Sequence, residues 1–507
     1  MHDDEVAALL DSKEPLVVVE APAGCGKTYQ GANYARREAT RAKRGRILIL
    51  THTHAACSVF AKATSAESSS VEIRTIDALV VQLATAYHKT LGLVADPSIW
   101  AREENDGYGR LAAMAARLIT SKPMIAQALA ERYPVIIGDE HQDTSESQHA
   151  IMLALHEAGA QLRLFGDPMQ QIYRSRGQDG FDQARARWEA LKKRGAFAEL
   201  EYPHRWDGAS PDLGAWVLRA RESLRRGHPI DLAGELPFGL RIHRAQNRAQ
   251  TRTGYRLFPD DRRPLDEIVR TEGNLLILTD QNQTATALRA FWNRRIPIWE
   301  GYTRNELGTL VSALTSERCT PDSICAAVNT FMYAISARYS ATSHGNRLAQ
   351  EVREGCVREA RGKPALLQEV ARQILANPDH KGAASALRQI EQYRLDRIAG
   401  FADIKIDHTR ELRDAIRLGE FEHPNEALAE LHRRRSFSRP TPPAKAISTI
   451  HKAKGLECEQ AILLPCDGGR YGATEYARCK LYVALSRASH SLTLVICPDN
   501  PGPLFQI

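Results

Sequence analysis

Cysteine is scarce in this chain. Nine occur in 507 residues, at Cys25, Cys57, Cys319, Cys325, Cys356, Cys458, Cys466, Cys479 and Cys497, and no two form a C-x-x-C pair. That spacing indicates neither a zinc ribbon nor a disulfide framework, and leaves a reduced, cytoplasmic protein as the expectation. Long apolar runs are missing as well. None approaches the roughly 18 residues that a membrane helix needs, so no membrane partner is expected. The opening Met1-His2-Asp3-Asp4-Glu5 is acidic where a secretory or transit leader is basic. No repeat of fixed period is present. Neither charge sign dominates: Lys and Arg number 68 against 61 Asp and Glu, a net of +7. So mild an excess is compatible with a polyanionic partner without requiring one. What remains is an ordinary globular balance, 43% hydrophobic and 25% charged, which excludes a disordered or collagen-like chain. The length leaves room for three or four domains.

Two blocks read as parallel-sheet α/β, because short apolar runs alternate with amphipathic helical stretches. In the first, Leu16–Val19, Ile47–Leu50, Val135–Ile137 and Leu162–Phe165 read as buried strands ending in polar or Gly-rich turns. Ligands of open α/β sheets sit just beyond such carboxyl ends. The second block is split: Leu275–Leu278 stands far from Ile447–Ile450, Ala461–Leu464 and Leu492–Ile496. Residues 301–439 between them read as mostly helical and closing in a basic, Pro-containing linker, Arg433 to Pro443. A smaller helical insert is expected over 84–131.

Three turns carry chemistry. Ala21-Pro22-Ala23-Gly24-Cys25-Gly26-Lys27-Thr28 follows the first strand and opens a helix. It reads as a P-loop with Ala21 in place of the usual first glycine. Small residues let backbone N–H groups curl around phosphate oxygens, and the helix N-terminus adds partial positive charge. Lys27 is placed to neutralise the β/γ-phosphates and Thr28 to hold Mg²⁺. Asp139-Glu140-His141-Gln142-Asp143 ends the Val135–Ile137 strand. Asp139 is assigned to the metal and Glu140 to the general base that polarises the attacking water. In Gly166-Asp167-Pro168-Met169-Gln170-Gln171-Ile172-Tyr173, Gln170 can reach a γ-phosphate while Tyr173 faces away from the nucleotide.

The run of motifs resembles the UvrD/Rep group of superfamily 1 helicases, in the family's order over nearly the whole chain. Thr51-His52-Thr53-His54-Ala55-Ala56 is similar to T-F-T-N-K-A, and Thr75-Ile76-Asp77 to T-F-H. Residues 166–177 resemble G-D-x-x-Q-S-I-Y-x-W-R-G, and 200–205 resemble L-x-x-N-Y-R. Residues 449–457 resemble T-x-H-x-x-K-G-L-E, and 482–488 resemble Y-V-A-x-T-R-A. The resemblance implies two RecA-like parallel-sheet motor domains of the P-loop NTPase class, each with a mainly helical insertion. Their expected bounds are 1–83 with 132–198 and 199–300 with 440–507, the insertions being 84–131 and 301–439. It further implies a split ATP site. Arg205 and Arg487 would serve as arginine fingers, worth roughly 10³–10⁵ in rate, with Glu457 near the ribose.

On the same resemblance, single-stranded DNA would cross both motor domains, gripped at Thr51, His52, Thr75, Tyr173, Arg176, Thr449 and His451. Two departures concern that track: His52 stands for a stacking Phe and Ser175 for a stacking Trp. A third concerns the base, since residues 1–20 hold no Gln to read adenine. The expected activity is ATP-dependent 3′→5′ translocation on single-stranded DNA with duplex unwinding, on tailed duplexes, in repair or anti-phage defence. The alternative is a DNA-sensing ATPase that licenses a separate nuclease subunit, since no nuclease motif is recognisable. Compact UvrD-like proteins of this kind resemble the helicase subunit of Gabija-type anti-phage systems. An ABC-type or RecA-type ATPase would lack the motifs carrying Arg205, Lys454 and Arg487.

Overall fold

Strand β1 (Leu16–Glu20) is a mainly aliphatic run, rich in valine, buried along its whole length, and β2 (Ile47–Thr51) and β4 (Val135–Gly138) are likewise aliphatic and buried. Strands buried on both faces belong inside a parallel sheet covered by helices on either side. With β3 (Val71–Thr75), β5 (Gln161–Gly166) and β6 (Ala196–Glu199) they form one six-stranded sheet in the order β3-β2-β4-β5-β1-β6. Every pairing is parallel; Val18, for example, lies between Leu164 and Phe197. Alternation along the strands sends Leu16, Val18, Leu48, Leu50, Ile136 and Leu164 to the core on one face. Val17, Val19, Ile47, Ile49, Ile137 and Phe165 go to the other.

The strand order sets the site. Because β5 lies between β4 and β1, the turns leaving these three strands emerge side by side. The turn after β1 is tied to the end of β5 where Ala21 N–H donates to Gly166 O (2.8 Å), and the turn after β4 to β2 where Asp139 N–H donates to Leu50 O (2.8 Å).

The structure, a computed structural model, describes all residues except 1, 42–43, 105, 174–178, 250–253, 300–304, 316–318 and 438–442. The chain divides into two units, Met1–Phe291 with Thr449–Ile507, and Trp292–Ser448. The first unit also holds β7 (Leu240–Arg244), β8 (Leu275–Thr279), β9 (Cys458–Leu463) and β10 (Ala488–Ile496). Here β8 pairs with β9, β9 with β10 and β10 with β7, all in parallel. The chain is therefore α/β with two parallel sheets. The second unit is mainly helical, around a core that includes Phe331, Leu348, Leu367, Leu387, Phe401 and Leu412.

One expectation is corrected. Arg433 to Phe437, read as the start of a basic, Pro-containing linker, continues the helix Pro424–Phe437. Arginines are good helix formers, and the prolines that break the pattern come only at 440, 442 and 443. The rest of that linker, 438–442, lies outside the described residues. Among the described residues no helix is long and apolar enough to cross a membrane.

Candidate functional site

The turn after β1 is built from residues that leave its backbone free to curl. Gly24 and Gly26 have φ of +78° and +83°, where a side chain is strained. A Cβ on Gly24 would also come within 2.7 Å of the Trp206 ring. Ala21 is not among the positive-φ residues, so that position does not need the glycine it replaces. Pro22, Ala23 and Cys25 are buried beneath the turn, and Thr28 is half-buried at the start of the helix Lys27–Arg41. The sequence partner of this loop from the end of the chain is in contact with it: Ala23 N–H donates to the Tyr482 hydroxyl at 2.8 Å.

The acidic turn after β4 faces Lys27. Its Nζ lies 3.2 Å from Asp139 Oδ1 and pairs with Glu140 Oε1 as well. Burial works against the lysine's charge, but the two carboxylates hold its pKa above the usual value. Burial likewise opposes ionisation of Glu140, yet Lys27 and then Lys454 keep its carboxyl well below the usual range. Asp139 is pushed upward, chiefly by burial. Glu140 has φ +53°, a conformation uncommon outside glycine and a form of strain that clusters at functional sites. The arrangement sets two carboxylates around an ammonium of the kind that phosphate oxygens require. Asp139 Oδ1 is buried and, apart from its pairing with Lys27, has no hydrogen-bond donor among the described residues. A hard acceptor so placed, with the Thr28 hydroxyl on the adjacent helix, fits a divalent cation.

Two residues of the second block, Lys454 and Arg205, meet these turns. Lys454 Nζ contacts Asp143 Oδ2 (2.5 Å) and Gln170 O (2.7 Å), and lies 4.0 Å from Glu140 Oε2. Burial pushes the Asp143 carboxyl up to about 6 in spite of that lysine. Arg205 is tied to the P-loop through its own amide, which donates to Gly24 O at 3.1 Å. Its guanidinium bonds Ser486 O and pairs with Glu457 Oε1. Arg487 is buried with its donors turned into its own surroundings: Val483 O (2.8 Å), Leu456 O (3.2 Å) and Ser486 Oγ (2.7 Å). Burial, and then Arg205, pull its pKa down to about 10. So Lys27 is brought to Asp139 and Glu140, and Arg205 to the P-loop backbone and Glu457, whereas the donors of Arg487 go to Val483 O, Leu456 O and Ser486 Oγ. Lys454 was visible in the motif T-x-H-x-x-K-G-L-E, but nothing in the sequence alone said which carboxylate it would meet.

Gln170 is held from below. Its side-chain amide donates to Asp167 Oδ2 at 3.0 Å. Asp167 is fully buried and neutralised by Arg221, which also binds Glu20 (2.6 Å) and Glu199 (3.0 Å). Neither Glu20 nor Arg221 was singled out in the sequence, because an isolated Arg on an amphipathic helix reads as a surface residue. Arg221→Met leaves the buried Asp167 carboxylate without a counter-ion among the described residues, and Glu20 with only the longer pairings to Lys192 and Arg225 (3.5 Å each), so it should destabilise the fold by about 3–5 kcal/mol. Urea unfolding checks this; a loss below 1 kcal/mol would mean that the cluster is hydrated.

The candidate DNA-contact residues divide. Thr51 is buried, its hydroxyl donating to Thr53 O. Thr75 and Thr449 cap the helices Ile76–Ala86 and Ile450–Ala453. His451 Nε2 bonds the Tyr476 hydroxyl at 2.6 Å. Tyr173 is 46% exposed, with the Lys454 ammonium 4.9 Å from its ring centroid. Burial, followed by Lys454, pulls the pKa of His52 down to about 4. Arg176 and Ser175 lie outside the described residues.

Behind the acidic turn, His141 Nε2 meets His149 Nδ1 at 3.0 Å, both rings buried. Burial lowers both pKa values, that of His149 to about 4. A depressed histidine contributes stability that is present above its unfolded pKa near 6.5 and lost as pH falls towards the folded value. Stability should therefore drop between pH 6.5 and 4 by up to about 1.4 kcal/mol per pH unit per histidine. Urea midpoints at pH 7 and pH 5 check this against His141→Phe/His149→Leu, which should flatten the difference; an equal slope in both proteins would contradict it.

Residues 100–182 match the UvrD/REP helicase N-terminal domain, and residues 446–495 match the UvrD-like helicase C-terminal domain. Over 71 residues the chain is 41% identical to the RecBCD enzyme subunit RecB of Escherichia coli (strain K12). That stretch covers 14% of this chain and 6% of RecB, so the chain spans a small part of that relative's length. Both family matches fall on the α/β blocks whose turns carry the residues above, one on the acidic turn and one on the motifs of Lys454 and Arg487, and in both blocks the chain is similar to the UvrD-like helicases.

Proposed function

We propose that this chain is an ATP-driven motor that travels 3′→5′ on single-stranded DNA and separates duplex ahead of it. The observation that carries the reading is the convergence of Lys27, Asp139 and Glu140 with Lys454 and Arg205. Residues drawn from both ends of the chain would then serve one triphosphate. Lys27 would bind the β/γ-phosphates, Glu140 would take the proton from the attacking water, and Arg205 would meet the charge that develops as the bond to ADP breaks. Thr28 and Asp139 would hold Mg²⁺, which when bound neutralises phosphate charge. Gln170 and Lys454 would report the γ-phosphate, with Tyr173 under Lys454 carrying that report towards a DNA base. The Arg487 side chain would have to leave Val483 O and Leu456 O to act as a second finger.

A second reading, in which the ATPase licenses a separate nuclease, has support in that the matched relative is by its name one subunit of an enzyme. ATP turnover with and without single-stranded DNA, beside unwinding of 3′-tailed and 5′-tailed duplexes, separates the two. DNA-stimulated turnover with unwinding of the 3′-tailed duplex alone supports the motor. Stimulated turnover with no strand separation supports the second reading, and absence of turnover defeats both.

A further inference from the structure

Between the candidate base and the candidate γ-phosphate sensor runs a buried chain of hydrogen bonds that the proposed reaction has not yet used. Gln142, buried in the turn after β4, donates its side-chain N–H to Glu140 Oε2. The other end of the same amide, Oε1, accepts the backbone N–H of Asp167 at 3.0 Å. A backbone N–H can only donate, so the amide cannot turn over: its nitrogen must face Glu140. Asp167 in turn accepts from Gln170 Nε2 (3.0 Å) and Met169 N–H (3.1 Å) and is anchored by Arg221 (2.9 Å). The room for this amide is made by Gly166, where an added Cβ would come within 2.9 Å of Gln142 Oε1.

The geometry points to Gln142 as a positioning residue that fixes which oxygen of Glu140 works as the base, and Asp167 as the joint through which Gln170 shares that alignment. This rests on the reading of Glu140 as general base. Oε2 is occupied by the amide and Oε1 by Lys27; on the proposed reading ATP draws Lys27 to its β/γ-phosphates, and Oε1 is then the oxygen to receive the water proton. Without the amide, Glu140 keeps its charge but can rotate about its last bond. The base is then present and misaimed, which lowers turnover without touching the nucleotide's own contacts.

Gln142→Met keeps the length of the side chain and removes both polar atoms. In the full chain with saturating single-stranded DNA, kcat for ATP should fall about tenfold to a hundredfold. The Kd of a fluorescent non-hydrolysable ATP analogue should stay within about twofold, because catalytic positioning differs from uniform binding in this respect. In a Glu140→Gln background the same change should cause no further loss, since there is no base left to aim. Unchanged kcat in Gln142→Met would overturn the proposal. So would a fall in analogue affinity matching the fall in kcat, or a full extra loss in the Glu140→Gln background, each of which marks a structural role. Full turnover in Glu140→Gln alone would instead defeat the assignment of the base, whatever Gln142→Met does.

Discussion

Arg205→Ala is expected to lower ATP turnover by about 10³–10⁵-fold, the range over which an arginine finger acts on phosphoryl transfer. The amide of Arg205 bonds Gly24 O within the P-loop, while its side chain bonds Ser486 O and pairs with Glu457. Its Nε is buried without a hydrogen-bond partner among the described residues, a donor still free to meet a phosphate oxygen. Arg205→Lys should restore little, because a point charge lacks the planar fork that spans two acceptors. The backbone bond to Gly24 survives both changes, so the fold should persist and nucleotide affinity should fall far less than kcat. A variant that hydrolyses ATP within tenfold of the parent would make Arg205 a partner of Glu457 and nothing more.

Glu140→Gln should cost about 10²–10⁴ in kcat, because an amide cannot accept the proton that a carboxylate takes from water. Shape and most packing are preserved, and Lys27 keeps its pairing with Asp139. Nucleotide affinity should hold or rise, since one negative charge beside the phosphates is removed. Pre-steady-state quench-flow with bound ATP isolates the chemical step. A normal chemical rate with slow product release would place Glu140 outside the reaction.

Legibility in the sequence followed burial. Strands β1, β2 and β4 are aliphatic for most of their length because both faces are covered, and they stood out as runs. The edge strands β3 and β6 did not: Val71-Glu72-Ile73-Arg74-Thr75 and Ala196-Phe197-Ala198-Glu199 alternate or are short, as edges with one wet face tend to be. Strand β7, with Arg241 and His243 between Leu240, Ile242 and Arg244, was missed for the same reason. In the site, Lys27, Asp139 and Glu140 were legible because phosphate and metal chemistry dictates residue types within short turns. The partners Gln142, Asp167, Arg221 and Glu20 were not, since their meeting depends on strand order, which brings β1 and β5 together across 145 residues of chain. The threonines expected to contact DNA are engaged as caps or in their own turn. A hydroxyl satisfying a helix end looks the same in sequence as one awaiting a phosphate.

The most direct test of a site shared between the two blocks is a crystal structure with ADP, Mg²⁺ and aluminium fluoride. Lys27, Glu140, Arg205 and Lys454 should all lie within hydrogen-bond reach of the fluoride or of the water in line with it. A fluoride group contacted by Lys27 with Arg205 and Lys454 more than 8 Å away would contradict a shared site.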